Sequence, residues 1–101
     1  MYTLDDAEAR NREAPDTFEI PSRAARENLL PGEIVKLLFR IPSPNSVNVE
    51  RMWVRIDERI GGVYVGTLTN DPRTTQDFGT GARVNFGPQH VIAIHGKPHE
   101  A

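Results

Sequence analysis

Arg51-Met52-Trp53-Val54-Arg55-Ile56, leading into Gly66-Thr67-Leu68-Thr69-Asn70-Asp71-Pro72, decides how this chain reads. Side chains on a strand point alternately to opposite faces. In that geometry Met52, Val54 and Ile56 line one face, which reads as core. Arg51, Trp53 and Arg55 line the other, where a large aromatic stands between two guanidinium groups. A face of that kind suits a binding module better than an enzyme.

Working outward, the same alternation recurs. Ile34 to Ile41 places Val35, Leu37, Phe39 and Ile41 on one side, and Ile34, Lys36, Leu38 and Arg40 on the other. The second side is only partly polar, as in a strand covered on both faces over part of its length. Ile41 to Ser46 reads as a loop, because its two prolines and Asn45-Ser46 exclude a ladder. A second strand runs from about Val49 to Arg59, Gly61-Gly62 makes a hairpin turn, and Val63 to Thr69 is the third strand. Asn70-Asp71-Pro72 is a turn and residues 73–82 an irregular stretch that Phe78 can anchor. Arg83 to Phe86 and His90 to Ile94 are the last two strands, joined by a tight turn at Gly87-Pro88-Gln89 with room for one turn of 3₁₀ helix. Upstream, Ser22 is placed to cap a short helix, Arg23 to Asn28, that Pro31-Gly32 stops, with Leu29 and Leu30 under the sheet. The fold class expected is mainly β, a small SH3-like barrel of about five strands with one short N-terminal helix. Its core is expected to include Val35, Leu37, Phe39, Met52, Val54, Ile56, Leu68, Val84, Phe86 and Ile92.

At 101 residues the chain fits one domain. The absence of cysteine excludes structural disulfides and thiolate metal sites, and suits a reducing cytosol. No apolar run approaches the ~20 residues of a membrane span, and Met1 to Arg12 has no apolar stretch of a signal peptide. Charge is unevenly spread: residues 1–20 hold six acids and two bases, net −4, and residues 21–101 ten bases and eight acids, net +2. This describes an acidic, flexible arm (1–17) on a mildly basic body (18–95) with a polar tail (96–101). Asp5 to Arg10 is a weak helix signal in the arm, ended by Pro15.

Several stretches together resemble a family. They are Phe18-Glu19-Ile20-Pro21, Leu30-Pro31-Gly32-Glu33-Ile34-Val35-Lys36-Leu37, Arg51-Met52-Trp53-Val54, Gly66 to Pro72, Gly81-Ala82-Arg83-Val84-Asn85-Phe86 and His90-Val91-Ile92. Over roughly residues 18–95 they are similar to the YegJ-like bacterial proteins of unknown function, which share a Met-Trp-Val strand, a Gly-x-Leu-x-Asn-Asp-Pro hairpin end and a Gly-x-x-Val strand. The resemblance implies a small, mainly β, cytoplasmic bacterial domain with no established activity. Some relatives are reminiscent of immunity proteins to bacterial toxins.

Trp53 with Arg51 and Arg55 is the first site candidate, as a contact surface or, alternatively, as a tryptophan packed under the short helix or the acidic arm. Asn70 and Asp71 are loop-contact candidates, although the same pair commonly builds a turn. His90, His95 and His99 lack a zinc-ligand spacing, and no metal or other cofactor is expected. Glu50, Asp57 and Glu58 are carboxylates that nothing pairs across a cleft. Gly79-Thr80-Gly81 lacks the third glycine of a nucleotide loop. The expected function is therefore non-catalytic recognition of another protein, without a membrane. The alternative is a barrel that binds single-stranded nucleic acid through Arg51, Trp53 and Arg55, extended by Tyr64 or Lys36.

Overall fold

The computed structural model describes residues 1–97. Its strands are β1 (Thr3–Leu4), β2 (Ile34–Ser43), β3 (Ser46–Ile60), β4 (Val63–Leu68), β5 (Arg83–Phe86) and β6 (Val91–Ile94), with helices α1 (Ala7–Glu13) and α2 (Arg23–Glu27) and a 3₁₀ turn at Pro88–His90. All pairings are antiparallel, in the order β1-β2-β3-β4-β5. The edge of β2 opposite β3 is shared: β6 lies along its first half and β1 along its second. The sheet curls into a half-barrel, the mainly β architecture expected.

The concave side holds the main core, and the alternation read from the sequence accounts for it. Val35, Leu37, Phe39 and Ile41 of β2 meet Met52, Val54 and Ile56 of β3, Tyr64 and Leu68 of β4, Val84 and Phe86 of β5 and Val91 and Ile94 of β6. Ile92 is also buried, but on the opposite face, because a register shift in the β2–β6 ladder turns it outward. Phe78 anchors the 70–82 loop against Tyr2 and Phe39, with ring centroids 4.9 and 6.3 Å away. Gly61 turns the β3–β4 hairpin with φ +61°.

The first seventeen residues, expected as a solvated arm, are built into the fold. β1 pairs with β2 through Thr3↔Arg40 and Leu4↔Phe39. Asp6 caps α1 by accepting from the Ala9 N–H at 2.9 Å. Ala7 is fully buried and joins Leu38 and Ile92 in a second, smaller core on the convex face, closed over by Phe18 and Ile20. Two of the acids that made this segment read as solvent-loving find cations: Asp5 bonds Arg40 at 2.8 Å and Arg10 at 3.1 Å, and Glu8 bonds Arg26 at 2.6 Å. Two α-helices thus replace the single one expected.

Three further expectations change. The β2–β3 ladder continues through Pro42↔Val47 to Ser43↔Ser46. Pro42 is tolerated because it stands in a non-hydrogen-bonded pair at a point where β2 has a strand on one side only. Leu30 is 67% exposed, while Leu29 is buried. Tyr64, considered for a nucleic-acid face, is fully buried in the core. Its hydroxyl donates to the Arg26 carbonyl at 2.7 Å and accepts the Leu29 N–H at 3.2 Å, which latches the end of α2 to the barrel.

Arg26 itself is buried, at 5% exposure. Its guanidinium donates to the Pro21 carbonyl (2.9 Å), the Glu8 carboxylate (2.6 Å) and the Pro88 carbonyl (3.0 Å). α1, the entry to α2 and the 3₁₀ turn are therefore held by one side chain. Arg26→Ala leaves buried carbonyls without donors and is expected to cost about 3 kcal/mol or more by urea denaturation. Gly66 supplies a second test. A Cβ there would meet the Arg55 carbonyl oxygen at 2.5 Å and Val54 Cγ1 at 2.6 Å, whereas one at Gly62 would meet nothing within 4 Å. Gly66→Ala is expected to destabilise by roughly 1–3 kcal/mol and Gly62→Ala to be near neutral in the same assay.

Candidate contact face

The convex face of the sheet divides in two. One half, around Leu38 and Ile92, is covered by the N-terminal segment. The other carries Arg51, Trp53 and Arg55 on β3, as the alternation requires, with Met52, Val54 and Ile56 buried behind them.

Trp53 lies half-buried, with Lys36 and His95 against its indole. Cross-strand pairing sets Lys36 opposite it, and Lys36 Nζ stands 4.6 Å from the indole centroid. A cation over an aromatic face is attracted by the ring quadrupole. His95 meets the indole edge-on at 5.5 Å. Arg51 is exposed and approaches the Phe18 ring at 5.9 Å. Between them, Lys36 and Arg51 line a cleft of about 160 Å³ with Thr17, Phe18, Glu19 and Ala93.

Arg55 is exposed and pairs with Asp57 at 3.3 Å. Asp57 is the extra residue of a bulge, since Ile56 opposes Gly66 and Glu58 opposes Val65. Its carboxylate accepts the Thr67 hydroxyl at 2.5 Å. That bond, aided by Arg55, holds the carboxyl below its ordinary range. The row Ile34, Arg55, Thr67, Arg83 then crosses the sheet. Lys36, Arg51 and Arg83 have no ion-pair partner among the described residues. The face is therefore cationic although the chain is net −2.

Asn70 and Asp71 are occupied by the loop. Asn70 Oδ1 accepts the Trp53 N–H at 2.6 Å, and Asp71 Oδ1 accepts the Thr80 N–H at 2.9 Å. Each bonds an amide distant in sequence, so the pair ties the loop to β3 and to its own far end rather than closing a local Asx turn. Asn70 still matters to the face, because it fixes the backbone of Trp53. Glu50 does similar work: its carboxylate accepts the N–H groups of Arg73 (2.8 Å) and Thr74 (3.0 Å) and the Thr74 hydroxyl (2.6 Å). Burial pushes the Glu50 carboxyl up, and these bonds outweigh it, leaving it below the usual range. The remaining carboxylate considered, Glu58, is exposed beyond the bulge.

His90 is tied to the 3₁₀ turn, its Nδ1 accepting the Gly87 N–H at 2.9 Å. His99 lies outside the described residues. Among the described residues no cluster of three His, Asp or Glu could hold a metal, and no helix is long and apolar enough to cross a membrane. The Lys36 contact and the 160 Å³ cleft left no local signal in the sequence, because β2–β3 register and the course of residues 17–19 create them.

These side chains make stability depend on pH in two steps. Burial lowers the His90 pKa against the opposing charges of Asp6 and Glu8. A depressed folded-state histidine means the unfolded chain takes the proton first. Its contribution is full above about pH 6.5 and declines as pH falls below that. Asp5, Glu33, Glu50, Asp57 and Asp71 also lie below their ordinary ranges. Their contribution is present above about pH 4 and is lost on further acidification. Melting temperature should be flat from neutral to weakly alkaline pH, fall gently below about 6.5 and steeply below about 4. His90→Asn should remove the first limb and keep the second.

No protein-family model, curated protein or solved structure matches the chain, so a function is read from this face alone.

Proposed function

We propose that this chain is a YegJ-like, non-catalytic module of the bacterial cytoplasm that binds another protein through Arg51, Trp53 and Arg55. The observation that carries this reading is the half-buried Trp53 between exposed arginines, with Lys36 and Arg51 lacking an ion-pair partner among the described residues and Arg55 held by Asp57. Tryptophan and arginine are the residues most enriched at interface hot spots. The partner surface complementary to Lys36, Arg51, Arg55 and Arg83 is acidic, in keeping with an immunity-like role against a protein target. Asp57 and Asn70 serve by holding Arg55 and the Trp53 backbone in place.

The cationic character also favours a second reading, a single-stranded nucleic acid. That ligand would use aromatic planes as stacking platforms. Lys36 already occupies one face of the indole and Tyr64 is buried, which weighs toward protein.

The test is capture from bacterial lysate on immobilised protein, with variants as controls. Trp53→Ala should cost roughly 2 kcal/mol or more in binding, with Arg51→Ala and Arg55→Ala smaller losses and all three folded. Affinity should fall only modestly with salt; a steep linear fall of log K with log salt identifies nucleic acid instead. Full binding by all three variants would show that this face is structural.

A further inference from the structure

β3 is fifteen residues long and its two edges are not equally used. Along one edge it pairs with β2 from Ser46 to Arg55. Along the other it pairs with β4 only from Val54 onward. At Trp53 the open side is still occupied: its N–H donates to Asn70 Oδ1 and its carbonyl accepts from Thr69. Beyond Asn70 the chain leaves the backbone of this edge and touches it again only through the Glu50 side chain, which accepts the Arg73 and Thr74 N–H groups. Backbone groups alternate between the two edges of a strand. The N–H and C=O of Arg51, Val49 and Val47 therefore point to the same side as those of Trp53. Among the described residues none of these three N–H or C=O groups has a hydrogen-bond partner on that side.

Natural sheets usually blunt such an edge with a lysine, a proline or a bulge. The bulge of β3 lies at Asp57, in the half already paired. The free half instead presents Val47 and Val49, 53% and 39% exposed. Side chains of Val47, Val49 and Arg51 all stand on the convex face, beside Pro42, Arg40 and Leu38 of β2.

We propose that this edge, Val47 to Arg51, pairs antiparallel with the same edge of a second copy of the chain, centred on Val49. The sequence Val47-Asn48-Val49-Glu50-Arg51 is self-complementary in that register. Val49 faces the partner's Val49, and each Val47 faces an Arg51 whose aliphatic stem can lie along it. On the concave side Asn48 faces Glu50, whose carboxylate stays bonded to Arg73 and Thr74. Centring on Glu50 or on Arg51 would set like charges directly opposite, which disfavours those alternatives. The symmetric pairing supplies roughly six backbone hydrogen bonds to groups that otherwise bond water. Because the two-fold axis stands normal to the sheet, both Trp53 faces emerge on the same side of the joined sheet.

The chain has no cysteine, which makes the test clean. Val49→Cys should form a covalent dimer under mild oxidation, because the two Cα atoms of such a pair lie about 5.5 Å apart. Val63→Cys, at the exposed end of the β3–β4 hairpin, should not. Sedimentation equilibrium of the unsubstituted chain should show a monomer–dimer equilibrium that Val49→Lys weakens about tenfold or more, with unchanged circular dichroism. Amide exchange at Val47, Val49 and Arg51 should slow as concentration rises. A chain that stays monomeric, with those amides exchanging alike at every concentration, would overturn the proposal. So would a dimer that keeps its affinity in Val49→Lys.

Discussion

A buried guanidinium holds this fold together. A cation removed from water is tolerated only where its donors are satisfied and an anion stands close. Arg26 meets that condition with the Pro21 and Pro88 carbonyls and Glu8. Each partner belongs to a different part of the chain, so satisfying one charge fixes the relative placement of α1, α2 and the 3₁₀ turn. Tyr64 continues the constraint inward by taking the Arg26 carbonyl and the Leu29 N–H from within the core. The helices are too short to be stable alone, since isolated helices under about a dozen residues are marginal in water. Their order comes from this polar junction and from the small apolar core that α1 closes.

The same docking decides what the convex face can present. By covering Leu38 and Ile92, the N-terminal segment removes the apolar half of that face from water and leaves the cationic half around Trp53 open. Lys36 and His95 limit how much indole reaches solvent. The surface that results is neither a greasy patch nor a bare aromatic platform. It is an amphipathic one, in which Lys36 and Arg51 lie beside aromatic rings and Arg55 beside a carboxylate.

Period-two alternation made the core legible: the residues expected inside are buried, Ile92 alone on the opposite face because of the register shift in β6. Local chemistry made the Ser22 cap, the Gly61-Gly62 turn and the Pro88–His90 turn legible as well. What escaped was set by partners distant in sequence. The acids of residues 5–8 look solvated until Arg26 and Arg40 are brought to them. Pro42 opposes a ladder only if its nitrogen faces the neighbouring strand, and register alone fixes that. Asn70 and Asp71 offered a turn reading beside a ligand reading, and their bonds to the Trp53 and Thr80 amides depend on partners that only the folded chain brings to them.

The junction at Arg26 also separates local contacts from long-range ones. The β2–β3 and β3–β4 hairpins join neighbouring segments, so each can zip with little loop-closure entropy. The bond from Arg26 to Pro88 spans 62 residues, and the convex core unites Ala7 with Leu38 and Ile92. Both therefore close far longer loops, at a greater entropic cost, and while they are open Leu38 and Ile92 lack the cover that Ala7, Phe18 and Ile20 give them.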